Sequence, residues 1–342
     1  MSGYLLPTFL AGPGNQYVGL KEAALIARRL GRTLVLPRFM AHFTVRATST
    51  RLYFDFAETF ERAPLDAVVN TIDVAELTAR PTRVHHIRKV GQRDQAQATE
   101  YLEYYEAATG LALAHLPETF LERRYLHGPE DFGELAAIAD EVLCLCGVFN
   151  NVRLSTCIKN HCVRCPPSPV FEAEYHEISA GFVRAAPIRA AAEAFVEAHL
   201  RGPYLAFHLR TYDRVRPSDD FASVYCGWSE RSVFQAVLDH AAACGIPESR
   251  VFIATPPATF NLPGLEVLPR LRRFDAPMEP YVASLVEQEI CARAEVYVRS
   301  VSNKLHPVEH DRSSWGAMVD DQRRATRDVR RDASIDVLLE RR

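Results

Sequence analysis

No stretch of this sequence holds the ~18 to 20 consecutive apolar residues that a membrane-spanning helix needs, so no span is expected. The N-terminus also lacks a basic segment followed by a long apolar one. Its apolar run from Tyr4 to Leu10 is short and passes straight into a glycine-rich turn, which reads as a buried strand rather than a signal peptide. As written, the chain is expected in the cytoplasm unless a leader precedes it. No Asn-X-Ser/Thr acceptor occurs, which removes one mark of secretion. Charge of one sign is scarce as well. Lys and Arg total 40 and Asp and Glu 43, a net −3, so no global basic field points to a nucleic-acid partner. Internal repeats and low-complexity segments are missing too.

What is present describes a globular chain. Its 342 residues fit two domains, and 48% apolar and 24% charged residues are ordinary for a folded protein. Basic residues cluster in the tail "DDQRRATRDVRRDASIDVLLERR", but acidic residues alternate with them, so a solvated helix face is expected before an interaction site. The sequence has 8 cysteines, and Cys157, Cys162 and Cys165 have the spacing of three ligands of a plant-type iron–sulfur cluster. Bulky, charged intervening residues and the lack of a nearby fourth cysteine argue against a cluster. Zinc completed by Cys144, Cys146 or His161, loop-pinning disulfides and plain thiols stay open.

Strand and helix patterns alternate through both halves, which predicts an α/β chain with parallel sheets. The stretch "AGPGNQYVGLKEAALIARRLGRTLVLP" reads as a glycine loop, a helix with Leu20, Ala23, Ala24, Ala27 and Leu30 on one face, and a strand from Thr33 to Leu36. Arg28 and Arg29 in the last turn and Gly31 beyond it form a normal helix ending. One or two helices with a break at Pro187 precede a second series: strands "PYLAFHLR", "RVFIAT", "GLEVLP" and "EVYVRS", and helices capped by Ser229 and centred on "PYVASLVEQEICARA". The domains are expected at residues 1–185 and 186–342.

Ligands of such sheets bind outside the carboxyl ends of the strands. Asn15 and Gln16 follow the first strand, and His208, Arg210 and Asp213 lie at or beyond the end of "YLAFHLR". His208 and Arg210 share one side of that strand. Read one at a time, each has an ordinary alternative. Asn15 could cap the helix, His208 could be a satisfied core histidine, and Arg210 could pair with Asp213 or fork onto a phosphate or carboxylate.

Taken in order, these pieces resemble the GDP-fucose protein O-fucosyltransferases. The matching segments are Gly14-Asn15-Gln16, Arg32-Thr33-Leu34-Val35-Leu36-Pro37, His208-Leu209-Arg210, Ala254-Thr255 and Glu287 with Ile290-Cys291 and Ala294. They continue through Ser300-Val301-Ser302 to Arg312, and the anchors span residues 4 to 315. The resemblance implies two Rossmann-like domains facing a cleft, a GT-B-like glycosyltransferase fold, with an acceptor side in the first domain and a nucleotide-sugar site in the second. It implies inverting, metal-independent transfer of fucose from GDP-fucose to a Ser or Thr hydroxyl of a protein or peptide, without a cofactor, and an ER or Golgi lumen if a leader is missing. Arg210 and Asn15 would be the catalytic pair. Gly12, Gly14, Gln16, His208, Asp213, Thr255, Glu287, Ser300, Ser302 and Asn303 would bind substrate. Asn303 and Lys304 stand where the family has Thr/Ser-Phe, and Pro256-Pro257 where an acidic residue is common. A related transferase using another nucleotide sugar or a glycan acceptor, and a non-catalytic nucleotide- or protein-binding descendant, share the same residues.

Overall fold

The computed structural model describes residues 3–9, 13–41, 50–86, 92–121, 124–125, 132–146, 152–153, 170–209, 228–255, 272–300 and 314–341. The chain divides into two compact units, Met1–His42 with Leu52–Val183 and Phe43–Arg51 with Arg184–Arg342.

The first unit is built on a 6-stranded sheet in the order β3-β2-β1-β6-β4-β5, every neighbouring pair parallel. Its strands are β1 (Tyr4–Pro7), β2 (Thr33–Leu36), β3 (Thr71–Asp73), β4 (Val84–His86), β5 (Glu118–Phe120) and β6 (Val142–Cys146). Helix α1 (Pro13–Arg29) connects β1 to β2, and Gly31, at φ 62, ends it in the left-handed conformation that glycine adopts without strain. The basic last turn expected there also binds α3 (Glu172–Gly181): Arg28 pairs with Glu177 at 2.7 Å and Arg29 with Glu174. Further inside the same contact, the fully buried Lys21 donates to Ser179 Oγ at 3.3 Å and lies 4.1 Å from the Tyr175 ring centre. Helix α2 (Gln92–Thr109) anchors on the first strand, the Tyr105 hydroxyl donating to the Pro7 carbonyl at 2.7 Å.

The second unit opens with α4 (Ala186–His199), so the expected break near Pro187 separates two helices, with Pro187 in the first turn of α4. Its 4-stranded sheet runs β8-β7-β9-β10, all parallel, from β7 (Leu205–His208), β8 (Val251–Ala254), β9 (Val296–Arg299) and β10 (Ala333–Ser334). One face carries Leu205, Phe207, Val251, Ile253, Val296 and Val298, which form a closed core with α5 (Glu230–Ala243) and α8 (Ile335–Glu340). Ser229 caps α5 as expected, its hydroxyl accepting the Ser232 N–H at 3.2 Å. Alternation sends Ala206, His208, Phe252, Tyr297 and Arg299 to the other face, where α4, α6 (Pro280–Arg293) and α7 (Ser314–Thr326) lie.

The tail departs from the expected solvated helix face. Arg323 on α7 is fully buried, β10 joins the sheet, and Ile335, Leu338 and Leu339 enter the core. The charges misled because arginine can be buried where carbonyls and a carboxylate meet all its donors. Residues of the expected strand "GLEVLP" lie outside the described ones. Among the described residues, no helix is long and apolar enough to cross a membrane.

Candidate functional site

Helix α1 begins at Pro13, so Gly14, Asn15 and Gln16 form its first turn instead of the loop before it. Proline favours that boundary, because its fixed φ suits the first helical position, where a missing N–H costs nothing. Asn15 is therefore inside the helix and does not cap it. First-turn N–H groups have no partner within a helix and attract anions. Asn15 is half-buried, and among the described residues its side chain has no hydrogen-bond partner. Gln16, by contrast, is fully buried and engaged. Its Nε2 donates to the Met40 carbonyl at 3.0 Å, and its Oε1 accepts the Met40 N–H at 2.8 Å and the Tyr101 hydroxyl at 2.7 Å. That tie fixes the first turn of α1 against the short antiparallel strand pair of Phe39–Met40 and Tyr53–Phe54.

Within the second unit, the parallel register aligns the expected donor-side residues. His208 of β7 is paired with Ala254 of β8, and the Leu209 N–H donates to the Ala254 carbonyl at 3.0 Å. Phe207 is paired with Val298 of β9, which brings Thr255, Leu209 and Ser300 to the carboxyl ends of three adjacent strands. His208, Thr255 and Ser300 are all buried. Among the described residues, the Thr255 hydroxyl has no hydrogen-bond partner, although its oxygen is out of solvent.

Helix α6 supplies the carboxylate. Glu287 Oε1 accepts the Thr255 N–H at 3.3 Å. Burial pushes the Glu287 carboxyl up to about 8, against the opposing pull of the Thr255 N–H and the charge of Arg273. At neutral pH this group is mostly a neutral acid, able to donate as well as accept. A raised acid pKa has a direct consequence for stability. Between the ordinary value of 4.5 and about 8, the native state keeps a proton that the unfolded state has released. Stability from this group therefore falls as pH rises through that window and levels off above it, with a slope of at most about 1.4 kcal/mol per pH unit. Urea unfolding of Glu287→Gln is expected to lose that downward slope. An unchanged slope in the variant would mean that Glu287 ionises normally.

Two features escaped the sequence reading. Trp315 stacks on His208, with ring centres 4.3 Å apart and planes 25° from parallel. Arg299, the last residue of β9, pairs with the buried Asp320 of α7 at 3.4 Å. Trp315 had a signal, as one of only 2 tryptophans in the chain, placed in a polar stretch; Arg299 had none.

Gly12, Arg210, Asp213, Ser302 and Asn303 lie outside the described residues, as do Cys157, Cys162 and Cys165. Cys144 and Cys146 are free and buried on β6. Among the described residues, no group of three or more His, Cys, Asp or Glu side chains is arranged to hold a metal ion.

The family model for GDP-fucose protein O-fucosyltransferase matches residues 4–313. Among solved structures, POFUT1 in complex with GDP-fucose is similar in two crystal forms. One has TM-score 0.65 at 15% identity and the other 0.64 at 16%, each with 97% of both chains covered. POFUT1 in complex with GDP has TM-score 0.64 at 15% identity, covering 97% of this chain and 98% of that one. No curated protein sequence matches. The likeness shows the fold, a GT-B-like α/β architecture of parallel sheets.

Proposed function

The chain belongs to the GDP-fucose protein O-fucosyltransferase family, and from that premise we propose that it moves fucose from GDP-fucose to a Ser or Thr hydroxyl of a protein or peptide. The observation that carries this reading is the grouping of His208, Thr255, Glu287 and Ser300 at the carboxyl ends of β7, β8 and β9. Strand ends of that kind are where open α/β sheets take nucleotides.

The donor is held in the second unit. Glu287 and the Thr255 hydroxyl offer hydrogen bonds to the polar edge of the nucleoside, beside His208. Arg210 forks onto the pyrophosphate, and Ser300, Ser302, Asn303 and Asp213 complete the donor site. In the first unit, the family resemblance assigns the Gly12–Asn15 segment to phosphate binding and Asn15 to the acceptor hydroxyl. Gln16 contributes by fixing the turn that carries Asn15.

The reaction is a displacement at the anomeric carbon. Its bond to the β-phosphate oxygen breaks, and GDP leaves with the electron pair. The acceptor oxygen forms a bond on the opposite face, which inverts the centre, and its proton passes to water. No carboxylate lies in the Gly12–Gln16 segment to act as a base. The step therefore runs through an oxocarbenium-like state in which bond breaking leads, and stabilisation of the departing phosphate charge is the main catalytic contribution. This mechanism assigns no step to a metal.

Incubation of the full chain with GDP-fucose and folded Ser/Thr-bearing acceptor domains tests the reading. Mass spectrometry is expected to find one acceptor gaining a deoxyhexose with release of GDP. Transfer from a different nucleotide sugar, with GDP-fucose inert, would overturn it.

A further inference from the structure

Residues at a strand end are only as well placed as whatever holds them. His208 closes β7, and its ring leaves the sheet on the face opposite the Leu205–Phe207 core. Trp315 of α7 packs against that ring. Its indole lies 25° from parallel with the imidazole at a centre-to-centre distance of 4.3 Å, a face-on contact that leaves the imidazole little room to turn.

The indole is fixed in its turn by α6. Its Nε1 donates to Ser284 Oγ at 2.8 Å, and the Trp315 carbonyl accepts the Gln288 Nε2 at 3.5 Å. Gln288 is itself held, its Oε1 accepting from the buried Arg184. Ser284, Glu287 and Gln288 stand three and four residues apart, on one side of α6. That one side supports two strand ends at once: Glu287 reaches Thr255 after β8 directly, and Ser284 and Gln288 reach His208 of β7 through Trp315.

We infer that Trp315 is a positioning residue of the donor site, holding the His208 imidazole in the plane that a bound nucleoside meets. The inference rests on the donor-site reading above. A tryptophan that only filled space would contribute to stability and leave ligand affinity alone. A positioning tryptophan acts through His208, so its effect on affinity disappears once the imidazole is gone.

The test is calorimetric titration of the full chain with GDP, using wild type, Trp315→Leu, Trp315→Phe, His208→Ala and the His208→Ala/Trp315→Leu double variant. Loss of the stack in Trp315→Leu is expected to weaken binding by about three- to tenfold. Trp315→Phe, which keeps an aromatic face, is expected to retain most of the affinity. The double variant is expected to bind no more weakly than His208→Ala. Ser284→Ala, which removes the indole anchor alone, covers the case in which Trp315→Leu does not fold. It is expected to weaken GDP binding by a few-fold in wild type and not at all in the His208→Ala background. Losses that simply add, or a Trp315→Leu variant that binds as wild type does, would overturn the inference and leave the donor reading intact. Failure of folded wild type to bind GDP would remove both.

Discussion

Replacing Arg210 by alanine is expected to lower the turnover of GDP-fucose by about a hundredfold or more while the protein stays folded. The expected size of the effect follows from the chemistry of departure. In a step led by bond breaking, negative charge accumulates on the β-phosphate before the acceptor contributes much. Only donors aimed at that oxygen in advance lower the barrier. Guanidinium suits the task because its rigid fork meets two phosphate oxygens at once and it stays charged at any working pH. By sequence, Arg210 comes two residues after His208 and directly after Leu209, whose N–H is bound to Ala254 across the sheet. Arg210→Lys keeps the charge without the fork, so it is expected to recover only part of the loss. Rates measured with saturating GDP-fucose separate this role from one in binding alone. An Arg210→Ala variant with normal turnover and only a raised KM would place the catalytic charge elsewhere.

The second large effect is on stability. Arg323→Ala is expected to destabilise the second unit by about 3 to 5 kcal/mol, the range for removing one partner of a buried ion pair. Arg323 is fully buried, and its donors are all in use. Nε and Nη2 fork onto Asp332 at 2.8 and 2.7 Å, and Nη1 donates to the carbonyls of Cys291, Ala292 and Ala294. Those carbonyls close the last turn of α6 and the step into β9, so one guanidinium caps a helix and sets where the central strand begins. Asp332 in turn accepts the Tyr297 N–H at 2.8 Å. Truncation leaves a buried carboxylate without its counter-charge and several carbonyls without donors. Arg323→Lys cannot reach both groups with one ammonium, so it is also expected to be markedly destabilised. Urea unfolding checks this; a shift within about 0.5 kcal/mol of wild type would mean that the network is not formed in solution.

The sequence disclosed those parts of the fold that rest on local rules. Strand β1, helix α1 and strand β2 are legible because apolar periodicity, the two terminal arginines and Gly31 agree. Ser229 and Pro187 mark helix starts by their own chemistry. Strand β4 was not legible: "VHH" carries two histidines, and nothing local says that His85 and His86 are buried between β5 and β6. Arg323 failed for the same reason, since a charge whose partners are carbonyls about 30 residues away looks like any solvated charge. The candidate site divides similarly. His208, Thr255, Glu287 and Ser300 are distant in sequence, and only their resemblance to a family links them; parallel pairing then places three of them in adjacent rows. Trp315 needs the third dimension altogether, because its role depends on which ring it faces.

Calorimetric titration of the wild-type chain with GDP-fucose, GDP, UDP and ADP tests the central claim most directly. The account predicts selective binding of GDP-fucose and GDP, with UDP and ADP much weaker. Preference for another nucleotide, or no binding by folded protein, would contradict the assignment of a GDP-fucose donor site to the strand ends of the second unit.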